Sequence, residues 1–123
     1  MRAVKSKNTA PELVVRRIIY ALGYRFRLHR RDLPGKPDLV FAGRQKAIFV
    51  HGCFWHGHDC PRGAREPKTN VEYWHSKLAR NRERDMENEA RLAALGWRTY
   101  VVWECELKDR GELANRLKIF LED

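Results

Sequence analysis

Cysteine is scarce, with three in 123 residues: Cys53, Cys60 and Cys105. An odd number does not build a disulfide framework, and no apolar secretory segment follows the N-terminus. Buried thiols or metal ligation are what remain. No run of 18 apolar residues occurs, which excludes a membrane-spanning helix. The default compartment is therefore the cytoplasm. With 8 Gly and 5 Pro, the chain is no low-complexity sequence. Internal repeats and linkers are lacking as well. Acidic residues are outnumbered, 16 against 25 Lys and Arg, which leaves a formal charge of +9.

What is present is enough for a packed core, since 43% of residues are hydrophobic and 11% aromatic. The length suits a single domain over residues 1–123. The excess charge is concentrated. Residues 1–36 hold ten basic and two acidic side chains, Glu12 and Asp32, and so carry +8. The remaining residues are near neutral. A field of that sign attracts polyanions, of which nucleic acid is the usual one. Arg2, Lys5, Lys7, Arg16, Arg17 and the Arg25–Arg31 stretch are the candidate phosphate contacts. The plainer reading is a solvated basic surface.

The pattern along the chain predicts its elements. Thr9 and Glu12 can form a capping box ahead of Leu13, Val14, Ile18, Ile19 and Leu22, with Gly23 as the stop. Tyr24 to His29 alternates apolar and basic residues, the mark of a half-buried strand. Leu33 to Pro37 is a turn. Asp38–Phe41 and Lys46–Val50 are short apolar strands joined through Gly43-Arg44, and their continuity implies burial on both faces. His51 to Cys60 is too irregular for either element, and Pro61 to Pro67 is a polar loop. Asn70 can cap a long helix from Val71 to Leu95, ended by Gly96. A strand over Trp97–Trp103 and a helix over Gly111–Leu121 follow. The order predicts an α/β domain, a mixed sheet flanked by helices.

Cys53, His58 and Cys60 lie within eight residues, and Cys105 follows the last strand. Thiolates with one imidazole suit tetrahedral zinc, and a full set leaves no open position, so the ion would be structural. His56 competes with His58 as the ligand, and spacing does not choose between them. Asp38 opens a buried strand after a tight turn, where a carboxylate can hold a hard divalent cation. The next strand ends at Val50-His51, beside it if the two strands pair. His51 and His56 are candidate acid–base groups because imidazole transfers protons near neutral pH. Asp38 can equally be a turn carboxylate bonded to its own backbone. Phe54-Trp55 sits in the irregular loop and Tyr73-Trp74 opens the long helix. Such aromatics can wedge between base steps and unstack them, or can pack as core.

Three segments, Leu33-Pro-Gly-Lys-Pro-Asp-Leu-Val40, Ile48-Phe-Val-His-Gly-Cys-Phe-Trp-His-Gly-His-Asp-Cys60 and Val102-Trp-Glu-Cys105, together resemble the very-short-patch-repair (Vsr) endonucleases. The resemblance runs from Met1 to at least Cys105. It implies a restriction-endonuclease-like core of the PD-(D/E)XK type with a zinc-stabilised loop over residues 51–60. It also implies a magnesium-dependent single-strand nick in double-stranded DNA beside a T:G mismatch, the product of 5-methylcytosine deamination.

By that resemblance Asp38 holds magnesium with the Val50 backbone carbonyl. His51 stands near the place of the usual lysine, and His56 activates water with Asp85 as its orienting partner. Glu12 lies near the metal's water shell. Cys53, His58, Cys60 and Cys105 hold zinc. Intercalating positions fall on Met1, Phe54, Trp55 and Trp74. A basic arm would precede Met1 in the family and is not part of this sequence, which leads to an expectation of weak, salt-sensitive binding. Val50 departs from the family's common threonine. The resemblance further implies a bacterial, nucleoid-associated monomer working alongside mismatch-repair proteins. Two alternatives fit the same residues: a zinc-stabilised DNA-binding module without catalysis, and a sequence-specific nicking enzyme indifferent to mismatches.

Overall fold

The computed structural model describes residues 10–52 and 70–123. Helix α1 spans Ala10–Ala21 and buries Glu12, Val15 and Ile19, one inward stripe at helical spacing. It closes where Gly23 turns left-handed at φ +94°, as the sequence predicts. Thr9, the partner in the expected capping box, lies outside the described residues.

The next expectation fails in part. Only Arg27–Leu28 forms strand β1, and both residues are exposed. Tyr24 and Phe26 do turn toward the core, but Leu28 does not. The extended run ends at His29, whose φ of +48° is left-handed.

Strand β2, Leu39–Phe41, is buried throughout and runs antiparallel to β1 and to β3, Lys46–His51. The link Ala42–Arg44 is a single 3-10 turn, with Gln45 left-handed behind it. β3 extends one residue further than expected and takes in His51. β4, Arg98–Trp103, lies parallel to β3, so the sheet order is β1-β2-β3-β4.

The pleat sorts side chains to two faces. Leu39, Phe41, Ile48 and Val102 join Val15 and Ile19 of α1 and Leu113, Leu117 and Leu121 of the last helix. Val40, Phe49 and Val101 face the other way, onto Leu33 and Leu92. Burial on both faces is therefore borne out. It explains why these strands read as continuous apolar runs.

Helix α2, Val71–Ala94, covers the second face and buries only Leu92 fully. Its mixed charges follow from that, since most of its surface meets water. Asn70 does not cap it through its side chain. It is left-handed at φ +54° and offers its carbonyl to the Trp74 N–H at 3.1 Å. Gly96, at φ +87°, follows the helix.

Helix α3, Arg110–Glu122, is capped by Asp109, whose Oδ1 accepts from the Glu112 N–H at 3.1 Å. A 3-10 turn, Glu104–Lys108, joins β4 to this cap. Lys46 looks misplaced in an apolar strand. Its amine is buried and donates to the carbonyls of Phe120 (2.6 Å), Leu121 (3.1 Å) and Asp123 (2.8 Å), tying off α3. Burial holds its pKa below the ordinary lysine value.

Candidate active site

The turn before β2 places the first carboxylate. Leu33 and Pro37 are buried, and the Lys36 N–H closes the turn on the Leu33 carbonyl at 3.1 Å. Gly35, at φ +76°, passes so close to α2 and β3 that a Cβ would lie 3.0 Å from Asn88 Cβ and 3.1 Å from Phe49 Cε1. Only glycine fits there.

Asp38 then continues both ladders of β2 by one residue. Its N–H donates to the Ile48 carbonyl, and its carbonyl accepts from the His29 N–H, each at 3.1 Å. Its side-chain Oδ2 accepts from the Val50 N–H at 2.7 Å. Three hydrogen bonds on three sides hold the carboxylate at the carboxyl end of β3. Ligands gather at that end of the strands in open α/β sheets.

Helix α1 delivers the second carboxylate. Glu12 is 1% exposed, yet it stands in the first turn and faces the sheet. Its Oε2 accepts from Arg16 one turn on, and lies 2.8 Å from His29 Nε2. Ligand atoms of Glu12, His29 and Asp38 all fall within 4.8 Å of one another. It is the one such acid and histidine cluster among the described residues.

Burial is the largest influence on Asp38 and raises its pKa to about 6. The Val50 N–H works against that rise. The nearby Glu12 charge adds to it, and His29 subtracts. Two carboxylates facing each other in a half-dry pocket favour a shared cation or a shared proton.

The other expected residues divide. His51 closes β3 and is buried, its ring 5.7 Å from Phe49 and 5.2 Å from Trp103. Val50 meets Asp38 through its backbone while its side chain packs against the main core. Asp85 is half-buried on α2, outside the Glu12–His29–Asp38 cluster. Glu89 one turn on has a raised pKa, first from burial and then from the Asp85 charge.

Trp74 opens α2 half-buried, edge-on to Tyr73 at 5.4 Å, with the Lys77 amine 5.8 Å from its ring. Cys105 is half-buried in the turn after β4. The expected partners Cys53, His58 and Cys60 lie outside the described residues. So do Met1, Arg2, Lys5, Lys7, Phe54, Trp55 and His56.

Two expectations about charge change. Arg16 is turned inward onto Glu12 rather than outward, with its side chain 18% exposed. Arg30 pairs with Asp32 at 2.8 and 3.0 Å. Arg17, Arg27 and Arg31 stay exposed.

His29 is the residue the sequence did not single out. Alternation made it one more basic position of a strand. The signal that finds it is register. Leu28 pairs with Leu39, so residue 29 falls beside residue 38.

The Glu12 and Asp38 carboxylates at the end of a mixed sheet, next to a basic first third, suit an enzyme that acts on nucleic acid. Comparison carries this from class to family. Residues 1–62 match the family described as DNA mismatch endonuclease Vsr. The chain is 56% identical over 122 residues to the type II nicking enzyme V.XorIIP of Xanthomonas oryzae pv. oryzae, covering 99% of this chain and 89% of that protein. It is 41% identical over 115 residues to the DNA mismatch endonuclease Vsr of Escherichia coli, covering 94% and 73%. It is 42% identical over 117 residues to the type II nicking enzyme V.NmeAIP of Neisseria meningitidis, covering 95% and 83%. The chain belongs to the Vsr family and is a DNA endonuclease. The reading as a binding module without catalysis is thereby set aside.

Proposed function

We propose that this endonuclease nicks one strand of duplex DNA at a T:G mismatch, in a magnesium-dependent reaction centred on Asp38. The observation that carries the reading is the Asp38 carboxylate, fixed by the Val50 N–H at 2.7 Å and set beside the carboxylate of Glu12. The residues fit a divalent cation, because opposed carboxylates in a partly buried site need positive charge between them. Asp38 and the Val50 carbonyl would hold the ion, with Glu12 beside its water shell. A magnesium ion held by these residues would supply Lewis-acid polarisation of a phosphate oxygen.

The remaining roles rest on the family resemblance. His56 takes a proton from the attacking water while Asp85 orients its ring, since an imidazole held by a carboxylate is the better-placed base. His51 supports the metal end of β3. Cys53, His58, Cys60 and Cys105 would hold a structural zinc ion. Phe54, Trp55, Trp74 and Met1 wedge the duplex, which a mismatch makes easier to deform. Arg2, Lys5 and Lys7 grip phosphates. Residues 1–123 act as one domain.

A second reading has its own support. Two of the relatives named above are called type II nicking enzymes, names that mention no mismatch, and a sequence-specific nick without mismatch dependence is the competitor. A randomised duplex pool, with and without a central T:G pair, separates the two. Nicks confined to the T:G pool support the mismatch reading. Equal nicking of the fully paired pool supports the competitor.

A further inference from the structure

Imidazole nitrogen is a poor partner for magnesium, a better one for manganese, and a good one for cobalt or nickel. The cluster contains one. We propose that His29 is a direct nitrogen ligand of the metal held by Asp38, with the Glu12 carboxylate next to it, and that it widens the site from Mg2+ to ions that accept nitrogen more readily, Mn2+ and Co2+ among them. The inference rests on the reading that Asp38 is the centre of a metal site.

Geometry is the first support. His29 Nε2 is hydrogen-bonded to Glu12 Oε2 at 2.8 Å, a contact whose proton a bound ion would replace, and Glu12, His29 and Asp38 each offer a ligand atom within 4.8 Å of the others. The three side chains come from three places: the first turn of α1, the residue after β1 and the residue before β2. Each stands on backbone that the sheet or helix already holds.

The backbone of His29 is the second support. Its φ is +48°, in the left-handed region that most residues avoid, and its N–H is tied to the Asp38 carbonyl at 3.1 Å. Non-glycine residues held there cluster at functional sites, because the surrounding structure must hold them in place. An extended residue at that position would continue β1 and send its side chain along the strand alternation. The left-handed turn instead brings the imidazole to Glu12.

Charge is the third. Arg16 lies on Glu12 Oε2, so one carboxylate is already partly compensated. A neutral nitrogen ligand completes a divalent site without adding a third negative charge. One nitrogen beside the Asp38 carboxylate and the Val50 carbonyl leaves positions for water and a phosphate oxygen, as catalytic ions require.

Pulsed electron paramagnetic resonance of Mn2+ bound to the whole protein, without DNA, reads the bond directly. The wild type is expected to show modulation from a coordinated imidazole nitrogen. His29→Asn should abolish it and weaken Mn2+ binding by at least about tenfold, with a smaller loss for Mg2+. Asparagine is the chosen replacement because it tolerates the left-handed backbone, and circular dichroism checks the fold.

Should that variant misfold, 15N-labelled histidine shows whether an imidazole is bound, and a signal that persists when His51, His56, His58 and His75 are each replaced by asparagine leaves His29 as its source. Mn2+ bound through Asp38 with no nitrogen signal overturns the inference and leaves the metal reading standing. So does a signal that survives in His29→Asn. Mn2+ affinity unaltered in Asp38→Asn overturns the metal reading itself.

Discussion

The Val50 N–H donates to Asp38 Oδ2 at 2.7 Å, so one strand's backbone holds the next strand's carboxylate. The donor is main chain, so the contact survives any residue but proline at position 50. It also aims the Asp38 carboxylate at the end of β3, beside the carbonyl that would share its ion. Val50→Thr is therefore expected to keep the magnesium dependence of the parent within about threefold, because the ligand would be a carbonyl. Titration of nicking rate against Mg2+ checks this. A much tighter dependence in the variant shows that a hydroxyl at this position matters.

The Asp38 carboxyl sits at about 6, against an ordinary value of 3.8. The folded chain thus keeps a proton that the unfolded chain has released across that window. Metal-free stability must fall as pH rises through it and level off above. Asp38→Asn removes the ionisation and still offers Val50 an acceptor. Near neutral pH, without added magnesium, it is expected to be more stable than the parent by about 1–2 kcal/mol. The difference should close near pH 4. Urea melts at both pH values measure it. Magnesium affinity has the opposite slope and should weaken as pH drops below about 6, because the ligand is the carboxylate.

Glu12 is almost fully buried, and both Arg16 and His29 meet its Oε2. Glu12→Gln keeps the shape and removes the charge. It is expected to slow magnesium-dependent nicking by about 10–100-fold with little change in fold. Glu12→Ala leaves Arg16 and His29 without that acceptor and should also cost about 1–3 kcal/mol of stability. Nicking assays paired with thermal melts distinguish the two effects. Equal activity in Glu12→Gln would reduce the residue to a structural ion pair.

Lys46 tests the fold apart from the site. Its amine ties three carbonyls at the end of α3, far along β3 from Asp38. Lys46→Met is expected to lower stability by about 1–3 kcal/mol through those unmet acceptors. Nicking per folded molecule should stay at the parent level. Urea unfolding and an active-fraction assay measure both.

Much of the architecture was legible because the two faces of the sheet need apolar cover. Asp38–Phe41 and Lys46–Val50 read as buried strands, and Gly23 and Gly96 as helix stops, since a left-handed terminus favours glycine. Asp38 was legible from its place between a tight turn and an apolar run. The rest depends on partners distant in sequence. β1 shrinks to two residues because His29 turns left-handed, a backbone state that no alternation pattern reveals. Lys46 reads as a flaw in a strand until α3 closes on it. Arg16 reads as surface charge until Glu12, one turn away, draws it inward. The His29–Asp38 pairing follows from hairpin register, which a single sequence leaves open until the turn length is known.

The most direct measurement pairs the parent enzyme with Asp38→Ala on a duplex bearing one T:G mismatch and on its fully paired counterpart, with magnesium. The parent is expected to nick one strand of the mismatched duplex alone, and Asp38→Ala to nick neither. An Asp38→Ala enzyme that cuts as well as the parent would contradict the assignment of Asp38 as the catalytic centre.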